Sequence, residues 1–205
     1  SIHSTLIRQS KKVDSDYSPI VEISIDIEED RTDIVIEDNG EGFTEINRKY
    51  FSHLDSRNNE KVKFHLHPQG QGRLAIIYFS DYARYKSTYL NENGNIKIKE
   101  FDYPNNEPTL FDIEDEEGTD SLDSEIRTIL TLSLTNTTTI KRSQTFFNKY
   151  NDIDRLENWF IENFFPFFID NEKLSLVVSL NGFSSTINKS KIEQKINNVP
   201  FSINT

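Results

Sequence analysis

The sequence predicts an α+β protein, a two-layer α/β sandwich whose mixed, mostly antiparallel sheet carries its helices on one face. Three observations predict it. In some segments apolar residues recur every three and four positions, the period of a helix with one buried face. In others they alternate with polar residues, the period of a strand. The segments run helix, hairpin, helix, polar loop, helix and then several strands, so most neighbouring strands are joined by short turns and not by crossover helices.

Ile2, Leu6 and Ile7 share a helical face while Arg8, Lys11 and Lys12 are solvated, so residues 1–12 read as the end of a helix, which Ser-Asp-Tyr-Ser-Pro then breaks. Val21, Ile23, Ile25 and Ile27 alternate with polar residues, EEDRTD turns the chain, and IVIED resumes a β-rich run that ends at Asp38. This is a hairpin. Thr44 caps a helix running through Ile46, Tyr50, Phe51 and Leu54, and the aperiodic DSRNNEK beyond it is expected to be mobile. RLAIIYFSDYA reads as an apolar helix, and ARYKSTYL and NIKIKEF as strands joined by an Asn-Glu-Asn-Gly turn. Residues 104–123, with Pro-Asn-Asn and DIEDEEGTD, read as an exposed loop, and IRTILTLSL as a buried strand. Asn151 or Asp152 caps a helix bearing Ile153, Leu156, Trp159, Phe160 and Phe164, and LSLVVSLNG is a further strand. There are no internal repeats.

Composition narrows the function classes. A chain of 205 residues with 35% hydrophobic and 12% aromatic residues buries a real core. Its formal net charge of −11 repels phosphate backbones and anionic headgroups, which makes nucleic acid an unlikely partner for this domain alone. No apolar run reaches the roughly 20 residues that span a bilayer, and no secretory pattern opens the chain, so a soluble, cytoplasmic protein is expected. With no cysteine there is no disulfide, no thiolate nucleophile and no Cys-ligated zinc.

Two stretches carry the chemistry. The chain has only 7 glycines, yet IEDNGEGF and PQGQGRLA each place two of them one residue apart. In the first, a carboxylate at a strand end, Asp38, precedes a turn in which Gly40 and Gly42 allow close backbone approach; such an acceptor can read an exocyclic amine such as that of adenine. In the second, Gly70 and Gly72 come directly before a helix, whose first N–H groups and positive dipole end favour phosphate. A base at one loop and phosphates at the other imply a nucleotide. Ordinary turns are the alternative for either pair taken alone.

The order DxGxG, helix, polar lid, then GxG opening a helix resembles the ATP-binding domain of the GHKL superfamily of gyrases, heat-shock chaperones, histidine kinases and mismatch-repair proteins. DNGEGFTEINRKYFSHLDSRNN is similar to its DNGxGF segment and the helix after it, and QGQGRLAIIYFSD to the glycine motif of its chaperone-like bacterial ATP-binding branch. The resemblance covers roughly residues 1–140 and is strongest from 34 to 80. It implies a left-handed βαβ arrangement (the Bergerat fold), with ATP and Mg²⁺ bound on the sheet face. It further implies Asp38 on the adenine amine, Gly40, Gly42 and Phe43 around the adenine pocket, and Gly70, Gln71, Gly72, Arg73 and Leu74 at the phosphates, under a lid at 55–69. The late-strand threonine of the family corresponds best to Thr128, although Arg127 stands where glycine is usual.

Members of the superfamily carry a general-base acid and a Mg²⁺-binding asparagine on their first helix. SIHSTL is similar to the stretch of that helix just after the asparagine, so both residues are expected upstream of Ser1. The chain holds no Met and opens within a helical pattern, which suggests a fragment. Residues 1–150 are expected to form the ATP-binding domain, and 151–205 the connecting helix and start of a β-rich, transducer-like segment that supports a homodimer or a partner protein. No lysine is assigned to the γ-phosphate. The functional expectation is a nucleotide-driven switch with ATPase activity; a non-catalytic interaction module of the same fold is the alternative, and a histidine-kinase domain a third reading.

Other patterns are weaker. Gly70, Gly72 and Ala75, with Glu92 downstream, fit a dinucleotide fingerprint, but a Rossmann domain begins with that unit and this chain begins with a hairpin. His65 and His67 share one side of a short run without a third ligand nearby, and the DIEDEEGTD run lacks the spacing of a calcium loop. Trp159 and the Phe cluster at 164–168 read as core. Arg73 suits either a phosphate or an acidic neighbour.

Overall fold

The computed structural model describes residues 2–11, 16–52, 76, 78–103 and 117–197. The elements in chain order are α1 (Ile2–Ser10), β1 (Ile20–Ile27), β2 (Thr32–Asp38), α2 (Glu45–Ser52), β3 (Tyr82–Leu90), β4 (Ile96–Asp102), β5 (Thr119–Asp120) and β6 (Arg127–Leu134). They continue with α3 (Thr137–Lys149), α4 (Ile153–Asp170), β7 (Ser175–Leu180), β8 (Phe183–Ile187) and α5 (Lys189–Asn197). The strands form one sheet of order β5-β4-β3-β6-β2-β1-β7-β8, antiparallel at every pair except β1–β7. The predicted sandwich with a mixed, mostly antiparallel sheet is the observed one.

Alternation gives the sheet two unlike faces. Val21, Ile23 and Ile25 of β1 lie opposite Leu176, Val178 and Leu180 of β7, and this row meets α1 and α4 in a core that includes Leu6, Leu156, Phe160 and Phe168. The intervening positions carry Glu22, Asp26, Asp33, Glu37, Arg84 and Lys86, which form the polar face. A second cluster gathers Phe43, Tyr85, Tyr89 and Tyr103, with Phe51 and Phe101 packed against it, where α2 covers β3 and β4. Strands on both sides of residue 150 belong to the same sheet, and the larger core draws on α1, β1, α4 and β7 together.

Three local outcomes differ from the sequence expectation. The helical turn at Ile76, Tyr78 and Phe79 gives way to β3 at Tyr82, after Asp81 N–H donates to Ser133 O, so the end of RLAIIYFSDYA is strand. Thr119 and Asp120, expected in a loop, pair with Ile98 and Lys97 as a short edge strand. The sequence pattern assigns nothing to TTTIKRSQTFFNK, β8 or α5. The threonine run disfavours helix by propensity, but α3 is nucleated by its surroundings. Asn136 caps it, accepting from Thr138 and Thr139 N–H at 2.8 and 3.0 Å. Asp81, just before β3, braces the same turn, accepting from Thr135 and Asn136 N–H and from the Thr139 hydroxyl.

Helix α4 starts on Asp152, which accepts from Arg155 N–H at 2.9 Å, and runs through Pro166 to Asp170. Its one buried charge, Glu157, is 3% exposed and accepts from Lys191 at 2.5 Å, from Lys195 and from the Ser185 hydroxyl, joining α4, β8 and α5. Burial pushes this carboxyl up, but the bonds from Lys191, Lys195 and Ser185 together outweigh it and hold Glu157 below the usual carboxylate range. A carboxyl depressed in the folded state contributes stability above its unfolded pKa and loses it as pH falls through the folded value. Glu157→Gln is therefore expected to cost about 3 kcal/mol in urea unfolding at neutral pH, and the gap from wild type should shrink steadily below about pH 4, the ordinary range of a glutamate.

Candidate functional site

Residues directly opposite one another in neighbouring strands project from one face. Asp38 ends β2 opposite Thr128 of β6, and Thr128 lies opposite Ser87 of β3. The three make a polar row on the helix-bearing face, next to the apolar row Ile36, Leu130 and Tyr85. The Ser87 and Thr128 hydroxyls are 3.0 Å apart, and Asp38 is 6% exposed. A carboxylate that deep needs donors. Gly40 N–H supplies one, at 3.0 Å from Asp38 Oδ1.

The loop after Asp38 is fixed from several directions. Asn39 Oδ1 accepts from Ile20 N–H at 2.9 Å and its amide donates to Ser18 O at 2.8 Å, stitching the loop to the start of β1. Arg8 of α1 donates to Asn39 O at 2.7 Å and to Ile126 O at 3.2 Å, and its guanidinium lies 4.7 Å from the centre of the Tyr17 ring. Burial pushes the Tyr17 phenol well above its ordinary range, and its hydroxyl donates toward Asn39. Ser4 Oγ accepts from Glu41 N–H at 3.0 Å. Beyond the turn, Ser87 Oγ accepts from Phe43 N–H at 3.0 Å, Asn47 donates to Gly42 O at 2.8 Å, and Arg48 donates to Phe43 O and to the Tyr89 hydroxyl.

Both glycines of DNGEGF permit close approach, and the atoms that approach are the protein's own. A Cβ at Gly40 would stand 2.2 Å from Ser4 Oγ; one at Gly42, whose φ is +70°, would stand 2.7 Å from Ser87 Oγ and 2.9 Å from Thr88 O. Phe43 packs edge-on against Phe51, Tyr85 and Phe101 at 5.2, 5.5 and 5.2 Å. Arg127, the residue that stands where glycine was expected, turns to the polar face, where it pairs with Glu37 at 3.2 Å and Asp123 at 3.1 Å. It leaves Thr128 facing the helices.

The structure thus brings together Asp38, Gly40, Gly42, Phe43 and Thr128. Gly70, Gln71, Gly72, Arg73 and Leu74 lie outside the described residues, as do His65, His67 and the expected lid at 55–69. Sequence reasoning missed Ser4, Ser87, Asn47 and Arg48. A signal existed for Ser87, a small hydroxyl where the alternation of β3 otherwise places Tyr85 and Tyr89. A cavity of about 410 Å³ adjoins the loop; Asp38, Asn39, Arg8 and Tyr17 line it together with Glu22, Glu37 and Arg127, which belong to the polar face. Among the described residues no group of three or more His, Cys, Asp or Glu is arranged to hold a metal ion. No helix among them is long and apolar enough to cross a membrane.

No family model matches the chain, and no curated protein does. Among solved structures it is similar to the N-terminal domain of a DNA repair protein, with TM-score 0.46 and 15% identity over 98% of this chain and 58% of that one. It is also similar to the 43K ATPase domain of Thermus thermophilus gyrase B in complex with an aminocoumarin, with TM-score 0.44 and 13% identity over 97% of this chain and 49% of that one. The chain spans between about a half and three fifths of the length of these structures.

The loop's packing makes Gly42 and Gly94 an informative pair. Both have positive φ, but a Cβ at Gly94 meets nothing within 4 Å. Gly94→Ala is expected to cost about 1 kcal/mol from backbone conformation alone, and Gly42→Ala at least about 2 kcal/mol because β3 must also give way. Equal losses in urea unfolding would show that the contact with Ser87 and Thr88 does not constrain the loop.

Proposed function

We propose that this chain is an ATP-binding domain of the gyrase, heat-shock chaperone, histidine kinase and mismatch-repair type, serving as a nucleotide-driven switch in a chaperone-like protein. The observation that carries the reading is the row of buried Asp38, half-buried Thr128 and buried Ser87 beside the DNGEGF loop. A carboxylate is an acceptor with several lone-pair sites, and Gly40 N–H is one of the donors to this one. An exocyclic amine is the donor that such an acceptor recognises, and the adjacent hydroxyls can donate to or accept from the rest of a base edge. The phosphate end of the proposal rests on the sequence pattern GQGRLA before a helical run.

Bound ATP would supply the phosphoanhydride whose cleavage drives a switch, while the residues named here hold and orient its base. The general base and the Mg²⁺-binding asparagine expected upstream of Ser1 belong to the same proposal, as does a β-rich, transducer-like segment that starts within 151–205 and passes the change to a second copy or a partner.

Isothermal titration of the full-length protein with a non-hydrolysable ATP analogue and Mg²⁺ tests the base site. Wild type should bind, and Asp38→Asn, which keeps an oxygen for Gly40 N–H but presents an amide to the base, should weaken binding by about tenfold or more. Guanine carries an acceptor where adenine carries its amine, so the GTP analogue should bind more weakly than the ATP analogue. Absence of wild-type binding, or equal binding by Asp38→Asn, overturns the proposal. Phosphate release by the full-length protein then separates an ATPase from a non-catalytic module.

A further inference from the structure

Asparagine followed by glycine is a labile pair, because glycine has no side chain to keep its amide nitrogen away from the asparagine carboxamide carbon. The chain holds three such pairs, Asn39-Gly40, Asn93-Gly94 and Asn181-Gly182, and all three lie among the described residues. We propose that Asn93 is a site of spontaneous covalent modification, losing its side-chain nitrogen as ammonia through a succinimide, and that the fold protects the other two asparagines.

The protected pairs are held by the carboxamide itself, the group that must turn toward the next nitrogen for reaction. At Asn39, in the candidate site, Oδ1 accepts from Ile20 N–H and from the Tyr17 hydroxyl, both at 2.9 Å, and the amide donates to Ser18 O at 2.8 Å. Gly40 is buried, and its N–H is spent on Asp38 Oδ1 at 3.0 Å. At Asn181, Oδ1 accepts from Ile27 N–H at 2.8 Å and the backbone N–H donates to Ile25 O at 2.9 Å, which ties the residue to β1. Reaction at either pair requires these bonds to break first.

Asn93 stands at the exposed tip of the β3–β4 hairpin, and among the described residues its carboxamide has no partner. Its neighbour is as open: Gly94 has φ +78°, and a Cβ there would meet nothing within 4 Å. The turn is drawn in by Asn91, whose Oδ1 accepts from the N–H groups of Asn93 and Asn95 at 3.0 and 2.8 Å and whose C=O accepts from Gly94 N–H at 3.0 Å. The Gly94 bond must open for reaction, and at an exposed hairpin tip such bonds fray at little cost.

Once free, the Gly94 nitrogen loses its proton to solvent base and bonds to Asn93 Cγ; the bond from Cγ to the side-chain nitrogen breaks, and ammonia leaves with a proton from water. Water then opens either carbonyl of the succinimide ring, leaving aspartate or, with the chain rerouted through Cγ, isoaspartate. Nothing is oxidised or reduced. Either product adds a negative charge beside Glu92, and isoaspartate also adds a backbone carbon between Leu90 and Ile96, the pair that closes the hairpin. The strand whose register this connection sets, β3, brings Ser87 to Phe43 N–H in the candidate site.

Peptide mapping by mass spectrometry tests the proposal, on full-length protein held in mildly alkaline buffer over a time course with and without urea. Cleavage after lysine and arginine separates the pairs into residues 32–48, 87–97 and 174–189. Folded protein should convert Asn93 at least about tenfold faster than Asn39 or Asn181, and urea should bring the three rates within about threefold of one another, since the protection lies in the fold. Asn93→Gln, whose longer side chain would need a larger ring, should leave residues 87–97 unconverted over the same period. An Asn93 that keeps its amide in the folded protein while losing it in urea overturns the proposal. So does conversion of Asn39 or Asn181 at the rate of Asn93 in the folded protein, or undiminished conversion of residues 87–97 in Asn93→Gln.

Discussion

The register of β2 is the constraint on which the rest depends. It is paired antiparallel on both sides, with Ile34 and Ile36 opposite Ile25 and Ile23 of β1 and opposite Leu132 and Leu130 of β6. A slip of one residue would turn those isoleucines to water and bring Asp33, Val35 and Glu37 under the helices. Placing two carboxylates in the core costs several kcal/mol each unless they find partners, while each isoleucine returned to solvent forfeits about 2 kcal/mol. The preference for one register is therefore large, and the register that buries the isoleucines also buries Asp38. The acid is carried into the helix-bearing face by the apolar residues upstream of it.

The elements legible in the sequence were legible for a physical reason. The β1–β2 hairpin, β6 and β7 have strict alternation and clear turn residues, so local pattern and tertiary environment agree. The Asp152 cap and the apolar stripe of α4 are local in the same sense. Helix α3 was not, because its start depends on Asp81, more than fifty residues away in sequence, which no window along the chain can see. Strand β8 was hidden by composition, since Phe-Ser-Ser-Thr-Ile has a weak hydrophobic pattern and owes its place to β7. Strand β5 is only two residues long and is defined by Lys97 and Ile98 on its neighbour.

The site divides along the same line. Asp38 and the glycines of its loop could be named from the sequence because a carboxylate with paired glycines after it is a local pattern. That Thr128 and Ser87 stand beside them is a consequence of strand order, β3-β6-β2, and strand order is not written in any one segment. Glycine announced close contact without announcing the other party. At Gly40 the other party is Ser4, and at Gly42 it is the backbone and side chains of β3, so these glycines set the shape of the loop by how tightly it lies on its own protein.

The parallel pair of β1 and β7 has a consequence for the order in which the molecule can be built. The hairpins β1–β2, β3–β4 and β7–β8 each close over a short stretch of chain, at little entropic cost, and can form as soon as their residues exist. The join of Ile20 to Ser175 closes a loop of about 155 residues at once. During synthesis from the N-terminus, β1 would therefore wait with one flank bare and with the apolar residues meant for α4 uncovered, until β7 had been added. Of the strands β1 to β6, the first in sequence is the last to gain its second neighbour, and the interval before it does so is when this chain would be most exposed to wrong partners and most dependent on assistance.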